Sequence, residues 1–232
     1  MAKILSIETS TDVCSVAFAE DGKVIEKREL FEPNSHSKHT TLLIQDIFKT
    51  EGVIPIKELD AVAVSAGPGS YTGLRIGTSV AKGICFALDI PLIAVDTLKL
   101  MSQAVLSSEV KVSAETLLCP MIDARRMEVY TALHDTNLNV VEETNAKIID
   151  ENSFDDILEK NEVMFFGNGA AKCKDVIKSN NAVFIDNIFP LAASMSSLAE
   201  KAYNENDFVD VAYFEPFYLK SFVATISKKK FF

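Results

Sequence analysis

The apolar pattern of this chain is written twice. It reads first as three strands, near 2 to 8, 13 to 19 and 23 to 31, a helix near 37 to 50, a strand at 60 to 65 and a helix at 72 to 88, followed by a strand at 92 to 95 and another helix. From residue 116 the order begins again, with strands near 116 to 122, 127 to 134 and 138 to 149, then a helix, a strand at 163 to 167 and a helix. A constant offset lays "IETSTDVCSVAF" (7 to 18) on "IDARRMEVYTAL" (122 to 133), each an apolar strand ending in isoleucine and a carboxylate, then a turn and a second strand. A βββαβα unit calls for a mixed sheet covered by helices, so two units call for two lobes that meet in a cleft. The boundary is expected near "LSSEVKVSAE" (106 to 115), where apolar density falls, giving an amino-terminal lobe over residues 1 to 107 and a carboxy-terminal lobe over 108 to 232. At 48% hydrophobic content, 232 residues hold enough apolar material for two cores.

The duplicated unit resembles the ASKHA fold of actin, Hsp70 and the sugar kinases, an α/β architecture of two duplicated lobes of mixed sheet and helices. Nucleotide chemistry in such a fold needs a small, glycine-rich turn in the first hairpin of each lobe, so that backbone amides can approach the phosphates. The first turn, "ETSTDVCS", offers Thr9, Ser10 and Thr11 but no glycine, and the second, "DARRMEVY", puts Arg125 and Arg126 where backbone access is needed. Those arginines could meet an anion by charge, although exposed arginines in a hairpin turn are usually solvated. Only Gly167 and Gly169 of "FGNGAAKC" resemble a glycine turn leading into a helix, and with Thr9 and Ser10 they make up the degenerate nucleotide-site positions. Glu8 and Asp123 supply the carboxylates of the two hairpins. No cofactor is expected.

The stretch "GPGSYTGLRIGTSVAKGI" (67 to 84) looks like a phosphate cradle, with Gly67, Gly69 and Gly73 for the turn and Ser70 or Thr72 to cap a helix. It has no Lys-Ser/Thr after the glycines and does not match GxGxxG spacing. The helix that follows carries apolar and small residues over an arc of roughly 200°, where one sheet needs not much over about 100°. A second body is expected on the remainder, either a neighbouring helix or a partner subunit, and Gly73, Gly77 and Ala81 would let another backbone come close. Its companion "HSKHTTLLIQDIFKTEG" has Leu43, Ile44, Ile47 and Phe48 across roughly 140°, with Leu42 outside that arc. The expected partner interface is therefore Leu42, Leu43, Ile47, Gly73, Gly77, Val80, Ala81 and Ile84.

His36 and His39 have helical spacing, but His134 is the third and last histidine, so they read as a solvated helix start and no metal is expected. Cys14, Cys85, Cys119 and Cys173 stand singly, as reduced thiols. With 23 basic against 33 acidic residues the formal charge is -10, which disfavours nucleic acid as a direct ligand unless a local basic patch overcomes it. No signal or membrane-spanning pattern is visible, and a soluble cytoplasmic protein is expected. The end of the chain, from Pro216 to Lys228, Lys229, Lys230 and two phenylalanines, is expected to dock somewhere, its lysines solvated.

Five motifs spread along the chain, "IETST" (7 to 11), "HSKHTTLLI" (36 to 44), "AGPGSYTGLRIG" (66 to 77), "DARRMEVY" (123 to 130) and "EPFYLK" (215 to 220), resemble those of the TsaB (YeaZ) family. The resemblance implies an ASKHA fold and a noncatalytic scaffold or activating subunit that binds the catalytic paralogue TsaD and the ATPase TsaE. Their complex transfers a threonylcarbamoyl group to N6 of the adenosine beside the anticodon of tRNA. It also implies a homodimer when the protein is alone, tRNA met only indirectly through the complex, and no membrane. Where TsaD has a His-x-x-x-His metal helix, this chain offers Thr97 and Met101. The competing reading is an independent ASKHA-fold enzyme, a small-molecule kinase or a glycoprotease-type metallopeptidase. That reading needs a carboxylate base with two working phosphate turns, or a metal.

Overall fold

The computed structural model describes residues 2–220, so the phenylalanine- and lysine-rich end at 221–232 lies outside the described residues. The two apolar patterns become two five-stranded sheets of one topology. The first contains β1 (Lys3–Glu8), β2 (Cys14–Glu20), β3 (Lys23–Leu30), β4 (Ala61–Gly67) and β5 (Leu92–Asp96), in the order β3-β2-β1-β4-β5. The second contains β6 (Leu117–Asp123), β7 (Glu128–His134), β8 (Val140–Ile148), β9 (Val163–Phe166) and β10 (Ala182–Ile185), in the matching order β8-β7-β6-β9-β10. In both, the first three strands form an antiparallel meander, the fourth pairs parallel to the first, and the fifth pairs parallel to the fourth. This duplication is the ASKHA architecture. The central strands β1 and β4 are buried on both faces and so carry almost continuous apolar runs, whereas edge strand β3 is charged and largely exposed.

One face of the first sheet is covered by α1 (His36–Phe48) and α2 (Tyr71–Leu88), which share a core with Leu5, Ile7, Val16, Phe18, Val62 and Val64 through Ile44, Ile47, Ala81 and Cys85. The other face meets α3 (Thr97–Leu106) and α5 (Ala192–Asn204), where Leu100, Met195 and Ala199 pack on Ile4, Ala61, Ala63 and Ile93. α3 also serves the second sheet: Leu98, Met101 and Val105 lie against Leu118, Ile122, Ala132 and Phe166. The division at 107/108 is therefore a proposal about sheets, since β1–β5 precede it, β6–β10 follow it, and α5, which follows it, packs on the first sheet.

The helix expected after the strand at 163 to 167 is a single 3-10 turn, Ala171–Cys173. Burying Cys173 and Ile177 takes only that turn, and Ser179, Asn180 and Asn181 then lead into β10. The helix before it, α4 (Asp155–Leu158), is likewise one turn. Beyond α5 the chain crosses back over the first sheet as a strap. Val209 N donates to Leu92 O at 2.9 Å and Phe217 N to Ala66 O at 2.7 Å, while Lys82 Nζ donates to the carbonyls of Ala212 and Phe214. All four cysteines are buried and free. Among the described residues no helix is long and apolar enough to cross a membrane.

Candidate functional site

The glycine loop between β4 and α2 is packed against its own lobe. Ser70 caps α2 by accepting from Gly73 N at 3.2 Å, and its own amide donates to Ser10 O at 2.6 Å. Thr9 Oγ1 donates to Gly73 O at 2.8 Å. A Cβ on Gly69 would collide with Ser10, one on Gly73 with Thr9 O, and one on Gly77 with Thr9 Oγ1. The backbone that comes close to this glycine stripe is thus the chain's own β1–β2 turn. Gly73 and Gly77, expected at a partner interface, lie inside the lobe, and so do Ala81 and Ile47, each fully buried in the first core.

The carboxylates of the two hairpins occupy different surroundings. Glu8 is completely buried; its Oε1 accepts from Ser10 N at 2.5 Å, and its Oε2 has no hydrogen-bond partner. Burial pushes this carboxyl up to about 7, against the opposing pull of the Ser10 backbone amide. The hydroxyls of Ser10 and Ser65 are themselves buried without partners. Asp123, by contrast, is exposed and is held by the Lys172 ammonium and by Arg125 N at 3.0 Å. Gly167 and Gly169 follow β9 and pack against the end of β6. A Cβ on Gly167 would collide with the Met101 methyl, and Gly169 N donates to Met121 O at 2.9 Å. Across a crevice of about 70 Å³ the first turn, at Thr11, faces Asn168. Thr9 and Ser10 pack on the start of α2, and Gly167 and Gly169 pack on β6.

Thr97 and Met101 are fully buried where α3 passes between the sheets. The start of α1 is not solvated as expected: His36 is 6% exposed, its Nε2 buried without a hydrogen-bond partner, and Thr40 Oγ1 donates to its carbonyl at 2.7 Å. Among the described residues no group of three or more His, Cys, Asp or Glu side chains is placed to hold a metal ion.

The open feature of the first lobe is an apolar groove of about 650 Å³ between α1 and α2. Ile44 and Phe48 form one wall and Val80, Ile84 and Leu88 the other, with Ile56 at one end. Gly83 lies on the α2 wall, and a Cβ there would meet nothing within 4 Å. Phe86, 85% exposed, and Leu42, 47% exposed, stand outside the core on the same two helices. Of the expected interface residues, Val80 and Ile84 line the groove, Leu42 projects outward, and Leu43 is half-buried against the core. The expected interface left out Phe48 and Gly83, which lie in the two apolar arcs, and Ala87 and Phe86. At about 100° per residue Gly83 and Ala87 fall beside Val80, which was the available signal.

Comparison with known proteins shows the following. A family model described as TsaD, tRNA N6-adenosine threonylcarbamoyltransferase, matches residues 32–228. The tRNA threonylcarbamoyladenosine biosynthesis protein TsaB of Escherichia coli K12 is 33% identical over 228 residues, 96% of each chain. The TsaB of Bacillus subtilis 168 is 31% identical over 140 residues, 60% of this chain and 58% of that protein. Among solved structures, a Pseudomonas aeruginosa protein described as similar to the peptidase YeaZ superposes with a TM-score of 0.82 at 26% identity, over 95% of this chain and all of the other. YeaZ from the same organism gives 0.77 at 25% identity, over 94% and 100%.

Proposed function

The chain belongs to the TsaB (YeaZ) family of tRNA threonylcarbamoyladenosine biosynthesis proteins, and on that premise we propose that it is a noncatalytic scaffold and activating subunit that binds a TsaD-like catalytic subunit through the α1/α2 groove. A TsaE-like ATPase joins the pair in the cytoplasm, and the complex transfers a threonylcarbamoyl group to N6 of the adenosine beside the tRNA anticodon. The observation that carries this reading is the groove itself. Two helices already packed on their own sheet leave a second, nearly unbroken apolar surface uncovered, and such surfaces mark protein interfaces. When the catalytic subunit is absent, two copies of the groove can cover each other in a homodimer.

Gly83 provides the test. A side chain placed there meets open space in the single chain, and replacing a mid-helix glycine gains up to about 1 kcal/mol of helix propensity. Gly83→Arg is therefore expected to leave the melting temperature unchanged or raise it at dilutions where the chain is monomeric. It should also weaken association with the catalytic subunit at least tenfold in a titration followed by calorimetry, because a guanidinium would be buried in the groove without a partner. Undiminished association would remove the groove from the interface.

Catalysis by this chain is favoured by one observation, the match to a transferase model. Against it, Glu8 is sealed beneath Ser10, and Asp123 is paired with Lys172 beside two bulky arginines, so neither hairpin offers a free carboxylate next to open backbone amides. The isolated chain is expected to show only background ATP hydrolysis with magnesium and no tRNA modification. Robust turnover abolished by Asp123→Ala would establish the enzyme reading instead.

A further inference from the structure

The β6–β7 turn holds two arginines in a backbone conformation that arginine rarely adopts. Arg125 has φ 71° and Arg126 φ 52°, the left-handed region where glycine and asparagine are at home, and each such residue costs of the order of 1 kcal/mol. The turn is rigid: Arg125 N donates to Asp123 Oδ1, Ala124 N to Glu128 O, and Glu128 N to Arg125 O. It is also clamped from outside. Lys172 Nζ holds Asp123 and donates to Glu128 O, and Lys220 from the carboxy-terminal strap holds the Glu128 carboxylate. The two carboxylates nearest the arginines are thus already taken by lysines. Both arginine side chains are exposed and have no hydrogen bond or ion pair among the described residues. The turn gathers four cations around two carboxylates on a chain whose formal charge is -10.

Aromatic rings interleave with this charge. Lys220 Nζ lies 6.0 Å from the centre of the Tyr130 ring, and two residues earlier on the strap Tyr218 packs on Tyr71 with ring centres 4.7 Å apart. Arg75 lies over the Tyr71 ring at 4.1 Å and donates from Nε to the Tyr218 hydroxyl. Two unpaired guanidiniums on a held turn, with Tyr130 on β7 and a strap that runs from Lys220 back to the Tyr71–Tyr218–Arg75 stack, match an RNA strand, whose phosphates take the charge and whose bases take the rings. An acidic protein surface would use the charge but not the rings.

We propose that the β6–β7 turn is a direct RNA contact, in which Arg125 and Arg126 bind backbone phosphates of the tRNA that the assembly modifies. The inference rests on the proposed role in the modification assembly and departs from the expectation that tRNA is reached only through other subunits. Arginine here costs stability and returns an anion site, whereas Asn-Gly at the same two positions would suit the backbone and carry no charge.

The test uses the full chain, alone and with the catalytic subunit, and a labelled unmodified tRNA transcript titrated between about 50 and 200 mM salt. Arg125→Asn with Arg126→Gly should melt no lower than wild type. The variant should bind tRNA about tenfold or more weakly at low salt, with the slope of log affinity against log salt reduced by about 1 to 2. Arg125→Gln with Arg126→Gln should lose binding in the same way, while the double lysine variant should keep most of it. Equal affinity and slope for wild type and the uncharged variants would overturn the proposal, as would the absence of tRNA binding by wild type both alone and in the assembly. Wild type that binds labelled polyglutamate but not tRNA would assign the turn to an acidic protein partner and would also overturn it. Assembly is scored separately by gel filtration, so a failed complex counts against the scaffold role while the isolated chain still decides this one.

Discussion

Gly77→Leu is expected to lower the melting temperature of the isolated chain by about 6 to 12 °C, and to do so equally at every protein concentration. Even a Cβ at this position collides with Thr9 Oγ1, which is fixed by its bond to Gly73 O, and the larger side chain would have to push the whole β1–β2 turn off α2. Overpacking typically costs about 1 to 3 kcal/mol, a clash with a hydrogen-bonded turn lies at the upper end, and 1 kcal/mol moves the melting point of a domain this size by about 2 to 4 °C. The dilution series matters because a homodimer couples melting to concentration, and loss of a dimer contact would show as a shift that fades on dilution. A variant that melts like wild type but fails to bind the catalytic subunit would return Gly77 to the interface.

The second large effect belongs to Glu8. Its carboxyl titrates near 7 in the folded chain against 4.5 for the free group, because burial disfavours the charged form. Below 4.5 both folded and unfolded chains hold the proton and stability is intact. As pH rises through the interval up to about 7 the unfolded chain releases the proton first, and stability falls by about 3 kcal/mol in all. His134, buried beside Ser102 at 2.9 Å, works in the opposite sense. Desolvation holds it down at about 4, so its contribution is present above 6.5 and is lost as pH falls towards 4. The wild-type profile blends the two, and the difference from Glu8→Gln isolates the carboxylate. Glutamine keeps the acceptor for Ser10 N and adds a donor for the unpartnered Ser10 and Ser65 hydroxyls. Urea unfolding should therefore find the variant close to wild type at pH 4.5 and about 3 kcal/mol more stable at pH 8. A constant difference across that range would show that Glu8 does not titrate there.

The site was less legible than the fold. Val80 and Ile84 were identified as surface because the arc of α2 was too wide for one sheet, and both line the groove. The same arc placed Gly73, Gly77 and Ala81 with them, and the fold turns these three inward. Arg125 and Arg126 were visible as bulk in a turn that should be small. Their positive φ and the capture of both neighbouring carboxylates were not, since neither leaves a trace in composition. Glu8 read as a strand-end carboxylate, with nothing to say that it would be sealed from solvent.

By itself the sequence determined the duplicated order of strands and helices, the two-lobed α/β fold and the family. These rest on periodicities of two and 3.6 residues and on contiguous motifs, which any window of the chain carries complete. A helical wheel fixes the angle between Gly77 and Val80 but not which of them faces inward. That was decided by the Thr9 hydroxyl, bonded to Gly73 from 64 residues away. The lack of a carboxylate partner for the arginines was decided by Lys172 and Lys220, which hold Asp123 and Glu128 from 49 and 92 residues away. The return of α5 to the first sheet likewise depended on an apolar face left open beside Ile4, Ala61 and Ala63. Contacts at such separations arise only when the whole chain closes on itself, because they are selected by the surfaces that remain uncovered once the local elements have formed.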